Sequence, residues 1–367
     1  MERKYDKALL DRLAQEPLKT TFKGTEVLIK AIPDENEPGA MDPRLYASMK
    51  GMLTMMRFMP KGLMKFDMSP KGIVKLRKMF NEVKGIPITV KPIIIENKTV
   101  KAKDGHDIPI RIYTTTTMNS DLPILYYIHG GGFFGGHPGV VEESVKLIVE
   151  KYDLPIVSVD YRLAPENPYP IGHNDVLSVY RWILENAVSI HGDNTKIFVS
   201  GDSAGGNLAQ YCSSKAVDEK LIPVKGQLLL YPTLNMAGVE DDFYHWSIDQ
   251  FEMSKKHKAG ITMMLGMFGG MGNGFNTLLG VFDLRNDDLN PYSRDPHHNP
   301  TTFVAVGEHD YLKVETLAYA AKLHSVGIKT KALVYKGMGH AFFDQCGIYP
   351  QCEDLANEMG KFMLENQ

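Results

Sequence analysis

Residues 196 to 210 read KIFVSGDSAGGNLAQ, a β-branched and aromatic run that meets Gly201-Asp202-Ser203-Ala204-Gly205 and passes into an amphipathic stretch. A serine at that junction constrains the chain strongly. The strand-to-helix turn is so tight that the residues flanking the serine cannot carry bulky side chains, which accounts for Gly201, Gly205 and Gly206. Such a turn projects the Ser203 hydroxyl above a sheet and near the first turn of a helix, whose N–H groups and dipole favour negative charge. The pentapeptide alone is common in unrelated proteins. Between a buried strand and a helix it marks Ser203 as a nucleophile.

The surrounding pattern agrees. From about Thr99 onward, strand-like and helix-like segments alternate. IPIRIY (Ile108 to Tyr113), PILYYIH (Pro123 to His129), PIVSVDY (Pro155 to Tyr161), KIFVS, QLLLY (Gln227 to Tyr231), TFVAV (Thr302 to Val306) and KALVY (Lys331 to Tyr335) read as strands. Helix-like stretches lie at Val141 to Lys151, from Asn174 (a candidate cap) towards Asn186, from Ala204, and at Val314 to His324. The pattern predicts an α/β fold, a mostly parallel sheet with helices on both faces. Two stretches break the rhythm. Residues 1 to 95 are helix-prone and Met-rich around GMLTMMRFMPKGLMKFDM, and residues 234 to 290 contain ITMMLGMFGGMGNGFNTLLG. Insertions of that length usually act as lids. The expectation is an N-terminal helical cap segment over 1–95, a catalytic domain over 96–367, and a second cap insertion over 234–290. Most of the methionines read as ordinary helix–helix core.

Upstream of the serine, a strand ends in His129-Gly130-Gly131-Gly132. Attack on a carbonyl creates an oxyanion, which needs preorganised donors about 3 Å away. Consecutive glycines let backbone N–H groups approach a ligand without Cβ obstruction. Gly131 and Gly132 are the first candidates, Gly130 a further one, joined by the N–H of Ala204 directly after the nucleophile. His129 is expected to orient the glycine loop rather than to transfer protons.

A serine hydroxyl also needs a base, and the base a partner that fixes its tautomer. Both should follow the nucleophile, acid first, on loops after later strands. After TFVAV comes Gly307-Glu308-His309-Asp310, and after KALVY comes Lys336-Gly337-Met338-Gly339-His340. His340 is the candidate base. Glu308 and Asp310 compete for the acid. The pair His297-His298 lacks the spaced carboxylate or thiolate set that a metal requires and reads as surface loop. No metal or cofactor is expected.

Composition excludes other classes. The 367 residues carry a formal net charge of -3, which offers no electrostatic reason for nucleic acid or an anionic membrane as partner. The charged opening MERKYDKALLDRLAQEP has no apolar run suited to an export signal, and no uninterrupted apolar span appears later, so a cytoplasmic protein without a membrane anchor is expected. Cys212, Cys346 and Cys352 are too few for a disulfide framework, and reduced thiols are expected, with a Cys346–Cys352 pair as the alternative. Oligomeric state is not readable, and a homo-oligomer stays open.

These motifs together resemble the hormone-sensitive-lipase-like family of α/β-hydrolases, the group of many bacterial carboxylesterases and the arylacetamide deacetylases. The resemblance runs from about residue 95 to the C-terminus. It rests on HGGG at His129 to Gly132, YRLAPE at Tyr161 to Glu166 with PYP at 168 to 170, GDSAGG at Gly201 to Gly206, and GEHDYL around Asp310. It implies an α/β-hydrolase fold with a helical cap, and a serine esterase acting on small-molecule esters of short to medium acyl chain. It places the acid at the Asp two positions after the Glu, hence Asp310. It gives Arg162 and Glu166 the task of bracing the oxyanion loop. Two departures stand out. Asp310 is followed by Tyr311-Leu312-Lys313-Val314 where the family often has Pro-Leu-Arg-Asp, and His340 by Ala341-Phe342 where it often has Gly-Phe. An amidase, peptidase or deacetylase would use the same residues. A non-catalytic receptor on this fold would be expected to lack the base, which is present.

Overall fold

A computed structural model describes residues 2–15, 17–56, 67, 69–269 and 274–367 of the chain. Its frame is one ten-stranded sheet. In chain order the strands are β1 (Leu18–Phe22), β2 (Thr25–Lys30), β3 (Ile94–Lys101), β4 (Asp107–Thr114), β5 (Leu122–Ile128), β6 (Ile156–Val159), β7 (Gly192–Asp202), β8 (Gly226–Leu230), β9 (Thr301–Gly307) and β10 (Thr330–Tyr335). They lie side by side as β1-β2-β10-β9-β8-β7-β5-β6-β4-β3. Every pairing from β2 across to β6 is parallel, and the antiparallel pairs β1–β2, β4–β6 and β3–β4 lie towards the two edges. Central strands covered on both faces read as continuous apolar runs, as LPILYYI in β5 does.

The helices are α1 (Lys7–Leu13), α2 (Pro43–Met56), α3 (Pro70–Phe80), α4 (Pro138–Tyr152), α5 (Ile171–Asn186), α6 (Ala204–Asp218), α7 (Lys258–Gly269), α8 (Phe275–Leu279), α9 (Lys313–Ser325) and α10 (Pro350–Glu365). α4 packs on α10 and α10 on α1, while α5 packs on α6, and α9 lies along β9 and β10. The second of the expected helices starts earlier than its candidate cap. Asn174 donates its N–H to Pro170 O at 2.8 Å, so the turn after Pro170 opens α5 at Ile171.

The expectation that residues 1–95 form a helical segment does not hold throughout. Residues 18–30 form a hairpin that extends the sheet, with β2 parallel to β10. The reason is local: Thr25, Val27 and Ile29 alternate as β-branched residues behind the Lys23-Gly24 turn, where Gly24 has φ +85°. Lys30 then locks β2 to the last helix, its buried Nζ lying 3.1 Å from Asp354 and 3.0 Å from Glu358 of α10. α2 packs against α7, so the N-terminal segment meets the 234–290 insertion. Met41, Met49 and Met263 are buried in the main hydrophobic core. Residues 57–66, 68 and 270–273, which hold much of the Met- and Gly-rich sequence of both segments, lie outside the described residues. Among the described residues no helix is long and apolar enough to cross a membrane. Cys212, Cys346 and Cys352 are buried free thiols.

Candidate active site

All the loops that carry candidate residues leave the sheet at the carboxyl ends of parallel strands. Ile128 of β5 pairs with Gly201 of β7, Asp202 of β7 with Leu230 of β8, and Gly307 of β9 with Tyr335 of β10. That register sets the glycine loop beside Ser203, and the loop of Asp310 beside the loop of His340. Strand ends of this kind are where open α/β sheets bind ligands.

Ser203 stands between β7 and α6 with φ 55° and ψ -118°, a backbone that non-glycine residues rarely adopt. Close packing enforces it. A Cβ on Gly205 would lie 2.1 Å from Ile128 O, and one on Gly201 would lie 2.2 Å from Gly205 O. The Ser203 N–H donates to Leu230 O at 2.9 Å, which ties the turn to β8.

Ser203 Oγ lies 2.9 Å from His340 Nε2, and His340 Nδ1 lies 2.8 Å from Asp310 Oδ2. A carboxylate only accepts, so Nδ1 carries the proton and Nε2 faces the hydroxyl as an acceptor. The second Asp310 oxygen, Oδ1, accepts the Leu312 N–H at 2.9 Å, and both Asp310 and the His340 imidazole are almost wholly buried. Tyr231 and Tyr311 flank the imidazole, with ring centroids 5.0 and 5.3 Å away. Glu308, the other acid candidate, is occupied elsewhere. Its Oε2 accepts the Gly337 N–H at 2.9 Å and so shapes the loop that leads to His340. His309 is buried, its Nε2–H donating to Ala40 O at 2.9 Å, and burial lowers its pKa.

The glycine loop departs from expectation at one residue. Gly130 donates its N–H to Asp202 Oδ1 at 2.9 Å, so this amide is committed and is no free donor for an oxyanion. Gly131 (φ +119°) and Gly132 (φ +62°) hold backbones that favour glycine. Among the described residues the N–H groups of Gly131, Gly132 and Ala204 have no acceptor. Ala204 opens α6, and the first amides of a helix lack an internal partner. His129 is buried and held neutral, its pKa pushed down to about 4 by desolvation. Its Nδ1–H donates to Gly130 O at 2.8 Å, and its ring stacks on Tyr161 at 4.4 Å.

Arg162 and Glu166 have different partners. Arg162 pairs with Asp175 of α5 at 2.7 Å and with Asp104 at 2.7 Å. Glu166 instead reaches Arg77 of α3 at 2.6 Å. His297 and His298 lie exposed, His297 beside Asp295 at 2.6 Å, and among the described residues no group of His, Cys, Asp or Glu is placed to hold a metal ion.

A cavity of about 210 Å³ opens over Ser203 and His340. Met79 and Phe80 of α3, Gly130 and Gly131, Val140 of α4 and Asp344 help to line it. α2 and α7 approach the loop of the histidine. A Cβ on Gly339 would lie 2.9 Å from Met264 Sδ and 3.8 Å from a Leu45 methyl.

Two buried acids escaped the sequence-level reading. Asp202 accepts from Tyr127 Oη at 3.0 Å as well as from Gly130, and burial raises its pKa against those donors. Its position inside GDSAGG was the available signal. Glu315 of α9 accepts the N–H groups of Leu234 (2.7 Å) and Asn235 (3.3 Å), and burial pushes its pKa up to about 7. Nothing local in the sequence marks it.

An array of hydroxyl, imidazole and carboxylate beside unpaired amides is suited to nucleophilic attack on a carbonyl. The family-level comparisons agree in class. Residues 125–344 match the family described as having an alpha/beta hydrolase fold, and the chain belongs to it. It is 30% identical over 280 residues to carboxylesterase NlhH of Mycobacterium tuberculosis, a match spanning 76% of this chain and 85% of that one. Arylacetamide deacetylase of Bos taurus is 35% identical over 168 residues, covering 44% of this chain and 41% of that protein. Among solved structures, ester-hydrolase EH1AB1 from the metagenome of Lake Arreo superposes with a TM-score of 0.70 at 26% identity, covering 88% of this chain and 98% of its own.

Proposed function

We propose that the protein is a serine carboxylesterase that hydrolyses small esters through an acyl-enzyme on Ser203. One observation carries the reading: the unbroken hydrogen-bond chain from Asp310 through His340 to Ser203, at 2.8 and 2.9 Å. The esterases among its relatives support the same class.

In this mechanism His340 Nε2 takes the Ser203 proton as Oγ attacks the ester carbonyl. The carbonyl oxygen becomes an oxyanion held by the amides of Gly131, Gly132 and Ala204, and Asp310 stabilises the imidazolium. Collapse expels the alcohol, which takes the proton from His340. Water then repeats the sequence on the acyl-enzyme and releases the carboxylic acid. Each step conserves charge and protons without a metal or cofactor.

The cavity, at about 210 Å³, is below the usual range of roughly 300–1,000 Å³ for drug-sized ligands. That favours short acyl groups. α2, α3 and α7 supply walls around the loops of the site, in the role of a cap. The match to a deacetylase makes C–N cleavage the second reading.

The test is hydrolysis of p-nitrophenyl acetate, butyrate, octanoate and palmitate, and of p-nitroacetanilide, with Ser203→Ala as control. Turnover that falls with chain length and vanishes in the variant is expected. Faster turnover of the anilide than of the acetate would overturn the ester assignment and favour the amide one.

A further inference from the structure

We infer that α3 sets the geometry of the oxyanion loop, and that Arg77 is a positioning residue for acyl transfer. The inference rests on the hydrolase reading above and assigns part of the machinery to the N-terminal segment, upstream of the sheet strands that bear the catalytic groups.

Three successive features of one helix face grip the loop. The Arg77 Nε–H donates to Phe134 O at 2.6 Å, and Nη2–H to Ala164 O at 2.9 Å. The same guanidinium forms a two-pronged pair with Glu166, at 3.0 and 2.6 Å. Three residues on, the Phe80 ring meets Phe134 edge-on at 5.1 Å. Just past the helix, Asn81 Oδ1 accepts the Gly136 N–H at 2.8 Å, and Asn81 O accepts from His137 Nε2–H at 3.2 Å.

Those contacts bear on the unpaired amides through Phe134. Its ring lies under Gly132, where an added Cβ would stand 2.7 Å from a ring carbon. Its N–H and that of Gly135 both donate to Gly131 O, at 3.2 and 2.9 Å. The loop is therefore pinned at Phe134, Gly136 and His137, and the orientation of Gly131 and Gly132 follows. Ala164 N–H donates to Phe133 O at 2.9 Å, so the YRLAPE segment is drawn into the same clamp. The guanidinium makes four hydrogen bonds to these groups, one more than the three N–H donors of a lysine could supply.

Oxyanion donors act by being preorganised, and small misplacements are costly. Loss of the clamp should thus weaken transition-state binding more than substrate binding. Arg77 touches no reacting atom in this scheme.

Arg77→Met keeps the apolar stem and removes the donors. The readouts are kcat and KM for p-nitrophenyl butyrate, and the Ki of butylboronic acid, which forms a tetrahedral anionic adduct with an active-site serine. Expected in Arg77→Met are a kcat lower by roughly 10- to 100-fold, a KM changed by less than about threefold, and a boronate Ki that rises in step with the loss in kcat/KM. Asn81→Leu, which frees only the Gly136 N–H and leaves the Asn81 carbonyl on His137, should show the same signature more weakly and serves if the first variant does not fold. Wild-type kcat in both variants, or a loss in kcat/KM with an unchanged boronate Ki, overturns the role. A wild-type enzyme inert towards every ester and towards the anilide would fail differently, removing the hydrolase reading and this role with it.

Discussion

Asp202, the residue before Ser203, accepts the backbone N–H of Gly130 at 2.9 Å, so a side chain of the serine turn holds the start of the glycine loop. The contact is tight enough that a Cβ on Gly130 would lie 2.1 Å from Asp202 Oδ2. The glycine at 130 is thus explained by the approach of Asp202, while Gly131 and Gly132 keep their amides free. The serine turn and the glycine loop are parts of one hydrogen-bonded unit, and Tyr127 completes it from β5.

The two candidate acids have different duties and should fail differently. Asp310→Asn cannot hold His340 in the tautomer that accepts from Ser203, and kcat should drop by roughly 10³–10⁴. Glu308→Gln keeps an acceptor for Gly337 N–H and should lose less than about tenfold. Steady-state kinetics on a single ester check both, and the reverse ranking would transfer the acid role to Glu308.

Gly131→Ala should lower kcat by about 10²–10³, the cost of losing an oxyanion donor. The residue sits at φ +119°, and its new Cβ would lie 2.1 Å from Gly135 O, so the loop must move. Ser203 should still be labelled, slowly, by an organophosphonate. Unaltered kcat in this variant would remove Gly131 from the hole.

Glu315 gives stability a pH dependence. Burial raises its pKa from 4.5 to about 7, with the Asp310 charge adding to the shift and its two backbone donors and His340 opposing it. The folded protein therefore holds this proton more tightly than the unfolded chain does. Its stabilising contribution is complete below about pH 4.5 and is lost as pH rises through about 7, a change on the order of 3 kcal/mol. Glu315→Gln keeps an acceptor for Leu234 and Asn235 and has no proton to lose. Relative to wild type, its Tm should improve between pH 5 and pH 8, and a constant difference across that window would contradict the assignment.

Periodicity and turn chemistry made much of this site legible in advance. Ser203 and His340 announce themselves because a tight turn needs small residues around the reactive side chain, and those glycines are visible in one dimension. Strands β5, β7, β9 and β10 were readable because burial on both faces leaves continuous apolar runs. Choosing Asp310 over Glu308 needed a family pattern, since both stand after the same strand. Arg77 could not be found this way. Its partners Phe134, Ala164 and Glu166 lie far along the chain, and a helix rich in lysine and arginine reads as a solvated face. The hairpin of residues 18–30 did carry a signal, the alternation of Thr25, Val27 and Ile29, but the Met-rich stretch nearby dominated the reading of that segment.

The most direct test is rapid mixing of p-nitrophenyl butyrate with wild type and Ser203→Ala, followed by mass spectrometry of the acid-quenched protein. The account predicts a burst of about one p-nitrophenol per active site, a butyryl adduct located on Ser203, and neither in the variant, whose Tm stays near that of wild type. A wild-type adduct on another residue, or steady turnover by Ser203→Ala near the wild-type rate, would contradict it.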